Sequence, residues 1–259
     1  MFEIIFSIII PFIGTILGAS LVYLFKDKIS ENVLRAFSGF AAGVMIAASI
    51  WSLIIPSFDA SAHKGTFAFV PVLIGLFIGF AFLMILDKVI PHMHVNEEEA
   101  EGPKVNLKKS TMTSLAVALH NLPEGMAVGI VLASSQAGNS TVSISMAIAL
   151  AVGIAIQNLP EGAIVSVSLT ASGVNKHKSF GLGVLSGIVE PLGAFVTYLL
   201  VNLIHPALPY LLSFAAGAMI YVVVEELIPE MSKGKHSHIG TICFALGFAL
   251  MMVLDFILG

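Results

Sequence analysis

Charge is what this sequence has least of. Only 11% of its 259 residues are charged, against 57% hydrophobic, and the mean hydropathy is +0.98. A soluble domain is closer to about a quarter charged, so the composition excludes an ordinary soluble fold and points to a lipid bilayer as solvent. The single cysteine, Cys243, excludes an intrachain disulfide framework and any thiolate metal cluster within one chain. A basic leader is missing as well. Met1-Phe2-Glu3 runs straight into an apolar stretch without a basic region or a small-residue cleavage site, which predicts a permanent first span. No polar stretch is long enough for a separate soluble domain, and no nucleic-acid partner is expected.

What is present is apolar runs. A spanning helix needs about 20 mostly apolar residues. By that measure the chain divides into eight segments, roughly 4–25, 33–56, 66–90, 110–135, 141–171, 178–203, 207–230 and 238–258. The longest connection, residues 92–109, is a short loop rich in histidine and acid. Basic residues are unevenly shared between the two sides. Lys26, Lys28, Arg35, Lys88, Lys104, Lys108, Lys109, Lys176, Lys178, Lys233 and Lys235 all fall on one face, and only Lys64 on the other. Basic loops stay in the cytoplasm, so both termini are expected outside, in a multi-pass protein of the cell membrane. Glycines recur four apart at 14/18, 39/43, 75/79, 125/129 and 183/187, a spacing that lets helix backbones approach closely in lipid.

Against this apolar background one polar motif occurs twice. "HNLPEGMAVG" begins at His120 and "QNLPEGAIVS" at Gln157, near the middles of the fourth and fifth segments. A third acid, Glu190, stands midway along the sixth, in "GIVEPLG". Insertion scales charge about 2.5–3.5 kcal/mol for an ionised residue at a helix centre. No lysine or arginine lies at that depth as a partner, so either the acids are protonated or a cation sits among them. Helical spacing favours the cation. His120 and Asn121 share a face with Glu124, and Gln157 and Asn158 repeat the geometry with Glu161. Proline at 123 and 160 is expected to break each helix and release the carbonyls of Leu119 and Ile156. Broken helices with polar groups at the midplane are a recurring construction of transporter sites. One imidazole, three carboxylates and three amides, with no sulfur, suit Zn²⁺, Fe²⁺ or Mn²⁺.

At these residues the chain resembles the ZIP (Zrt/Irt-like) family of divalent metal transporters, over essentially its whole length. "HNLPEG" matches that family's fourth-helix signature and "QNLPEG" its fifth, in the form of the GufA-like branch. Many members have histidine where Gln157 stands, so this chain loses an imidazole there and its metal preference is expected to differ. The resemblance implies an all-α polytopic fold of eight transmembrane helices, arranged 3+2+3 with pseudo-symmetric outer triplets, as one transporter domain over residues 1–259. It implies a binuclear site. His120, Glu124, Gln157 and Glu161 would hold the transported ion, and Asn121, Asn158 and Glu190, with Glu124 and Glu161 bridging, its neighbour. It further implies a homodimer, and sliding of the metal-carrying helices against a static part.

Other candidates lie to either side. Met45, Ser52 and Asp59, at seven-residue steps, would share one face of the second helix and form an access path from outside. Asp87, Glu225, Glu226 and Glu230, with His92 and His94 of the loop, would form a cytoplasmic exit path. Solvated helix-end acids and a charged linker explain the same residues. Asp255, near the outer end of the last helix, has no assigned role. The expected function is a carrier moving Zn²⁺, with Cd²⁺, Fe²⁺ and Mn²⁺ as further substrates, into the cytoplasm; the metal is substrate and no cofactor is needed. A metal-selective channel, a metal sensor and a membrane-embedded metalloenzyme are the alternatives. The chain has no His-Glu-x-x-His pair and no distinct nucleophile, which disfavours the enzyme.

Overall fold

Close backbone contact at glycine is what organises this bundle. The structure, a computed structural model, describes residues 1–25, 29–93, 101–105, 107–136, 142–201, 207–234 and 236–259. Eight helices are long and apolar enough to cross a membrane: α1 (Phe2–Tyr23), α2 (Glu31–Ala60), α3 (Phe69–Val89), α4 (Lys109–Gln136), α5 (Ile144–Ala171), α6 (Lys176–Leu200), α7 (Leu208–Ser232) and α8 (Ile239–Leu258). The segments expected from hydropathy match them one for one. Among the described residues β pairing is limited to a single bridge between His92 and Glu101.

The helices pack most extensively as four pairs: α1 with α5, α2 with α8, α3 with α7 and α4 with α6. Each pair is marked by one of the glycine couples. Gly14 and Gly18 meet the backbone of α5 at Ala155 and Leu159, and Gly39 and Gly43 meet α8 at Gly240 and Phe244. Gly75 and Gly79 meet α7 at Tyr210 and Phe214, and Gly125 and Gly129 meet α6 at Glu190 and Ala194. A Cβ at any of these positions would collide with a backbone carbonyl, so the helix axes are close because the side chains are absent. The fifth couple differs. Gly183 and Gly187 face side chains of α1, Ala19 and Thr15.

These pairings expose sequence repeats that hydropathy alone does not show. "LGASLVYL" (17–24) in α1 returns as "LGAFVTYL" (192–199) in α6. "FAAGVMI" (40–46) in α2 returns as "FAAGAMI" (214–220) in α7, and "GFAFLMILD" (79–87) in α3 as "GFALMMVLD" (247–255) in α8. Exchanging α1 with α6, α2 with α7, α3 with α8 and α4 with α5 turns the pair α1/α5 into α6/α4, and α2/α8 into α7/α3. Contacts follow the exchange down to single residues: Gly79 abuts the Phe214 carbonyl, and Gly247 abuts that of Phe40.

Irregular turns fall at matching places too. In α2 a π-helical stretch, Ser49–Ile54, precedes Pro56; in α7 another, Val223–Leu227, precedes Pro229. Proline leaves the carbonyl four residues earlier without its donor, and the wider turn accommodates the mismatch. The expected breaks in α4 and α5 do not occur. Both run as continuous 28-residue helices through Pro123 and Pro160, so each proline costs a backbone bond without ending the helix. The interruption falls instead in α6, between Gly187 and Val189, where Pro191 cannot donate to the Gly187 carbonyl.

Loop-side polar contacts fix the helix ends. Ser30 caps α2 through Val33 N–H, Ser143 caps α5 through Met146 N–H, and Lys176 Nζ donates to the Phe25 carbonyl beyond α1. Arg35, buried near the start of α2, donates to the Lys233 carbonyl just past α7 at 2.8 Å.

Candidate metal site

The repeated motif lies where α4 and α5 cross the centre of the bundle, and the two helices run in opposite directions. The copies therefore present their parts in reverse order along the bundle. His120 lies nearer than Glu124 to the end bearing most of the basic residues, whereas Glu161 lies nearer to it than Gln157. Burial follows this order. Glu124 and Gln157 are fully buried, while His120 and Glu161 are only partly so and line one small cavity of about 30 Å³ together with Glu226 and Glu230 of α7.

Hydrogen bonds connect the sealed side. Gln157 Nε2 donates to Glu124 Oε1 in a very short contact and approaches Asn158 Oδ1 at 3.4 Å. Asn158 Nδ2 donates to Glu190 Oε2 at 2.8 Å and to the Pro11 carbonyl at 3.4 Å. Thr15 Oγ1 of α1 donates to Glu190 Oε1 at 2.7 Å. Asn121 Nδ2 donates to the Ser186 carbonyl, which aims its oxygen the other way. Among the described residues, three buried oxygens on this side have no donor: Asn121 Oδ1, Glu124 Oε2 and Gln157 Oε1. A buried acceptor left unsatisfied costs about 1–3 kcal/mol, so three in one neighbourhood form a site for something that attracts lone pairs. The carboxylates of Glu161 and Glu190 also lie within electrostatic reach of Glu124.

On the open side His120 Nδ1 meets Glu226 Oε2 in a very short contact. In the tautomer with its proton on Nδ1, His120 donates to this carboxylate and presents Nε2 as the ligand nitrogen. A carboxylate behind an imidazole in this way is the usual support for a metal-ligating histidine. The place of Glu226 in "VVVEELIPE" suggests an exit path; its direct link to the repeated motif has no mark in the sequence. Glu230, in the same cavity, accepts from Ser38 Oγ of α2 at 3.1 Å, whereas Glu225 is exposed.

A second group sits at the basic end. Asp87, His92 and Glu101 bring one ligand atom each within 4.8 Å of one another. His92 is buried, with Nε2 3.1 Å from Asp87 Oδ1 and Nδ1 2.8 Å from the Ile90 carbonyl; Tyr221 donates to the same carboxylate from α7. Backbone hydrogen bonds in both directions join His92 and Glu101. His94 lies outside the described residues.

Toward the other end, Met45 and Ser52 are buried and Asp59 is exposed. Seven-residue steps keep a face in a regular helix, and a π-helical turn at Ser49–Ile54 interrupts that regularity between Met45 and Asp59. Ser52 donates instead to both oxygens of Asp255 on α8, at 2.9 and 3.1 Å. Asp255 is thus the polar residue of this region that spacing does not assign. The repeat of "GFAFLMILD" as "GFALMMVLD" could have found it, because that repeat pairs Asp255 with Asp87.

Comparison with known proteins agrees with this picture. Residues 94–255 match the family model described as ZIP zinc transporter. The chain is 39% identical to zinc transporter ZIPB of Bordetella bronchiseptica, over 96% of this chain and 79% of that protein. It is 35% identical to zinc transporter GufA of Myxococcus xanthus, over 95% and 96% respectively. Human zinc transporter ZIP11 is 32% identical over 95% of this chain and 94% of its own length. These relatives are transporters rather than enzymes, which sets the metalloenzyme alternative aside. With eight membrane-spanning helices, a duplicated Asn-Leu-Pro-Glu-Gly motif at their centre and relatives that align over nearly its full length, the chain belongs to the ZIP zinc transporter family.

Proposed function

We propose that this protein carries divalent metal ions, zinc foremost and cadmium, iron and manganese besides, into the cytoplasm through a two-ion site between α4, α5 and α6. His120, Glu124, Gln157 and Glu161 hold the moving ion. Asn121, Asn158 and Glu190 hold its neighbour, with Glu124 and Glu161 bridging. The observation that carries this reading is the set of donor-less buried oxygens, Asn121 Oδ1, Glu124 Oε2 and Gln157 Oε1. A divalent cation satisfies lone pairs that no nearby N–H or O–H reaches, and it cancels the charge of the surrounding acids.

The chemistry then runs from one end to the other. Ser52, which bonds Asp255, would form the outer access path together with Met45 and Asp59, offering oxygen and sulfur ligands. At the midplane the Gln157 amide must turn its NH₂ away from Glu124 for its own oxygen and that carboxylate to share an ion. Glu226, by holding His120 Nδ1, keeps Nε2 aimed as a ligand and adds negative charge on the inner side. Glu230, then Asp87, His92 and Glu101, with His94 and Glu225, continue the acidic route to the cytoplasm. The basic-residue asymmetry supports this orientation, with both termini outside the cell membrane. The recurring contacts of α1–α3 in α6–α8 support a 3+2+3 arrangement of one domain, with a short cytoplasmic loop at 92–109. A homodimer rests on the family resemblance alone.

The test is zinc uptake into liposomes holding the purified protein, beside Glu124→Ala and Glu161→Ala. Saturable uptake that both substitutions abolish, in folded protein, is the expected result. Equal flux in all three would retire the site, and uptake linear in zinc concentration would make the protein a channel.

A further inference from the structure

Thr15 belongs to neither ligand set, yet it contacts the helices of two of the three central acids. Its hydroxyl donates to Glu190 Oε1 at 2.7 Å in a fully buried contact of ordinary O–H···O length. Its carbonyl abuts Gly162, the residue after Glu161. We propose that Thr15 is the positioning residue for Glu190: its hydroxyl sets which lone pairs of that carboxylate face the second ion. The inference rests on the two-ion reading and extends it to α1.

Three observations support the assignment. First, several buried hydroxyls of this bundle bond the carbonyl one turn back, as Ser49 does to Met45, Ser134 to Ile130 and Ser166 to Gly162, while Ser38 and Ser52 reach across to acids on other helices. Thr15 forgoes that bond. The Pro11 carbonyl takes Asn158 Nδ2 instead, and the hydroxyl reaches across to α6. Second, the contact has been given room. A Cβ at Gly187 would lie 2.7 Å from Thr15 Cγ2 and 3.0 Å from Glu190 Oε1, so glycine at the interruption of α6 keeps the two side chains together. Third, Thr15 and Glu190 hold the same place in the two halves. Each stands two residues before the repeated Leu-Gly-Ala of α1 and α6. One half supplies the acid and the other the hydroxyl that aims it.

The arrangement leaves Glu190 usable. Donors from α1 and α5 hold one lone pair on each oxygen, and a carboxylate has roughly four such sites, so each oxygen keeps one for a cation. Without Thr15 the carboxylate turns about its remaining bond to Asn158.

The test measures equilibrium zinc binding to the purified full chain in detergent, with thermal melting to confirm folding. Thr15→Val is expected to weaken the second zinc about tenfold and leave the first within about twofold, with Thr15→Ser restoring both. Thr15→Ala serves should the valine variant fold poorly. In a Glu190→Gln background Thr15→Val is expected to add nothing. An equal loss in that background, or a Thr15→Val protein that binds as the unaltered one does while Glu190→Gln is defective, overturns the proposal alone. A Glu190→Gln protein that still binds the second zinc overturns the two-ion reading, and this inference with it.

Discussion

The two copies of Asn-Leu-Pro-Glu-Gly are identical in sequence and opposite in surroundings. In the α4 copy the acid, Glu124, is sealed and the leading His120 is open to a cavity. In the α5 copy the leading Gln157 is sealed and the acid, Glu161, is open. Antiparallel helices produce this from one motif: a duplicated segment placed in reverse yields one closed layer, Glu124 with Gln157, and one open layer, His120 with Glu161. The departure from histidine at Gln157 falls in the closed layer. An amide there donates to Glu124 without carrying a proton that must leave, and it has an oxygen to offer a metal.

That contrast can be broken by substitution. Glu124→Ala should have the largest effect, lowering zinc affinity about a hundredfold, because removing one buried partner of a charge costs about 3 kcal/mol or more. Glu161→Ala, in the open layer where water can replace the carboxylate, should stop uptake yet weaken binding less. Equal losses of affinity in the two would erase the distinction between the layers. Glu226→Gln comes next. It removes the carboxylate behind His120, so a loss of about tenfold in uptake is expected, and little change in how Glu124 and Gln157 bind. Gln157→His should be smallest in rate and visible mainly in selectivity. The uptake of zinc relative to manganese is expected to change by about threefold, since an added imidazole favours the borderline metal. Unchanged ratios among zinc, cadmium, manganese and iron would mean that this position does not tune preference.

Much of the fold was legible because the bilayer imposes length: eight apolar runs separated by short polar ones leave little choice of boundary. The depth of Glu124, Glu161 and Glu190 came from the same counting. Local irregularity was harder to read. Pro123 and Pro160 look like breaks, yet both residues are buried and the helices continue through them. The wider turns of α2 and α7 have no compositional mark beyond Pro56 and Pro229. Partners far apart in sequence stayed hidden. Thr15 with Glu190 and Ser52 with Asp255 join ordinary hydroxyls to acids on other helices, and only the repeats of α1–α3 in α6–α8 hinted at such pairs.

The central claim is that zinc is held between the two copies of the motif rather than at the histidine and acid group by the cytoplasmic loop. Anomalous scattering at the zinc edge, from crystals of the zinc-loaded protein, tests it most directly. The expected result is density between Glu124 and Glu161, within bonding distance of His120 and Gln157. Density confined to Asp87, His92 and Glu101 would contradict the account.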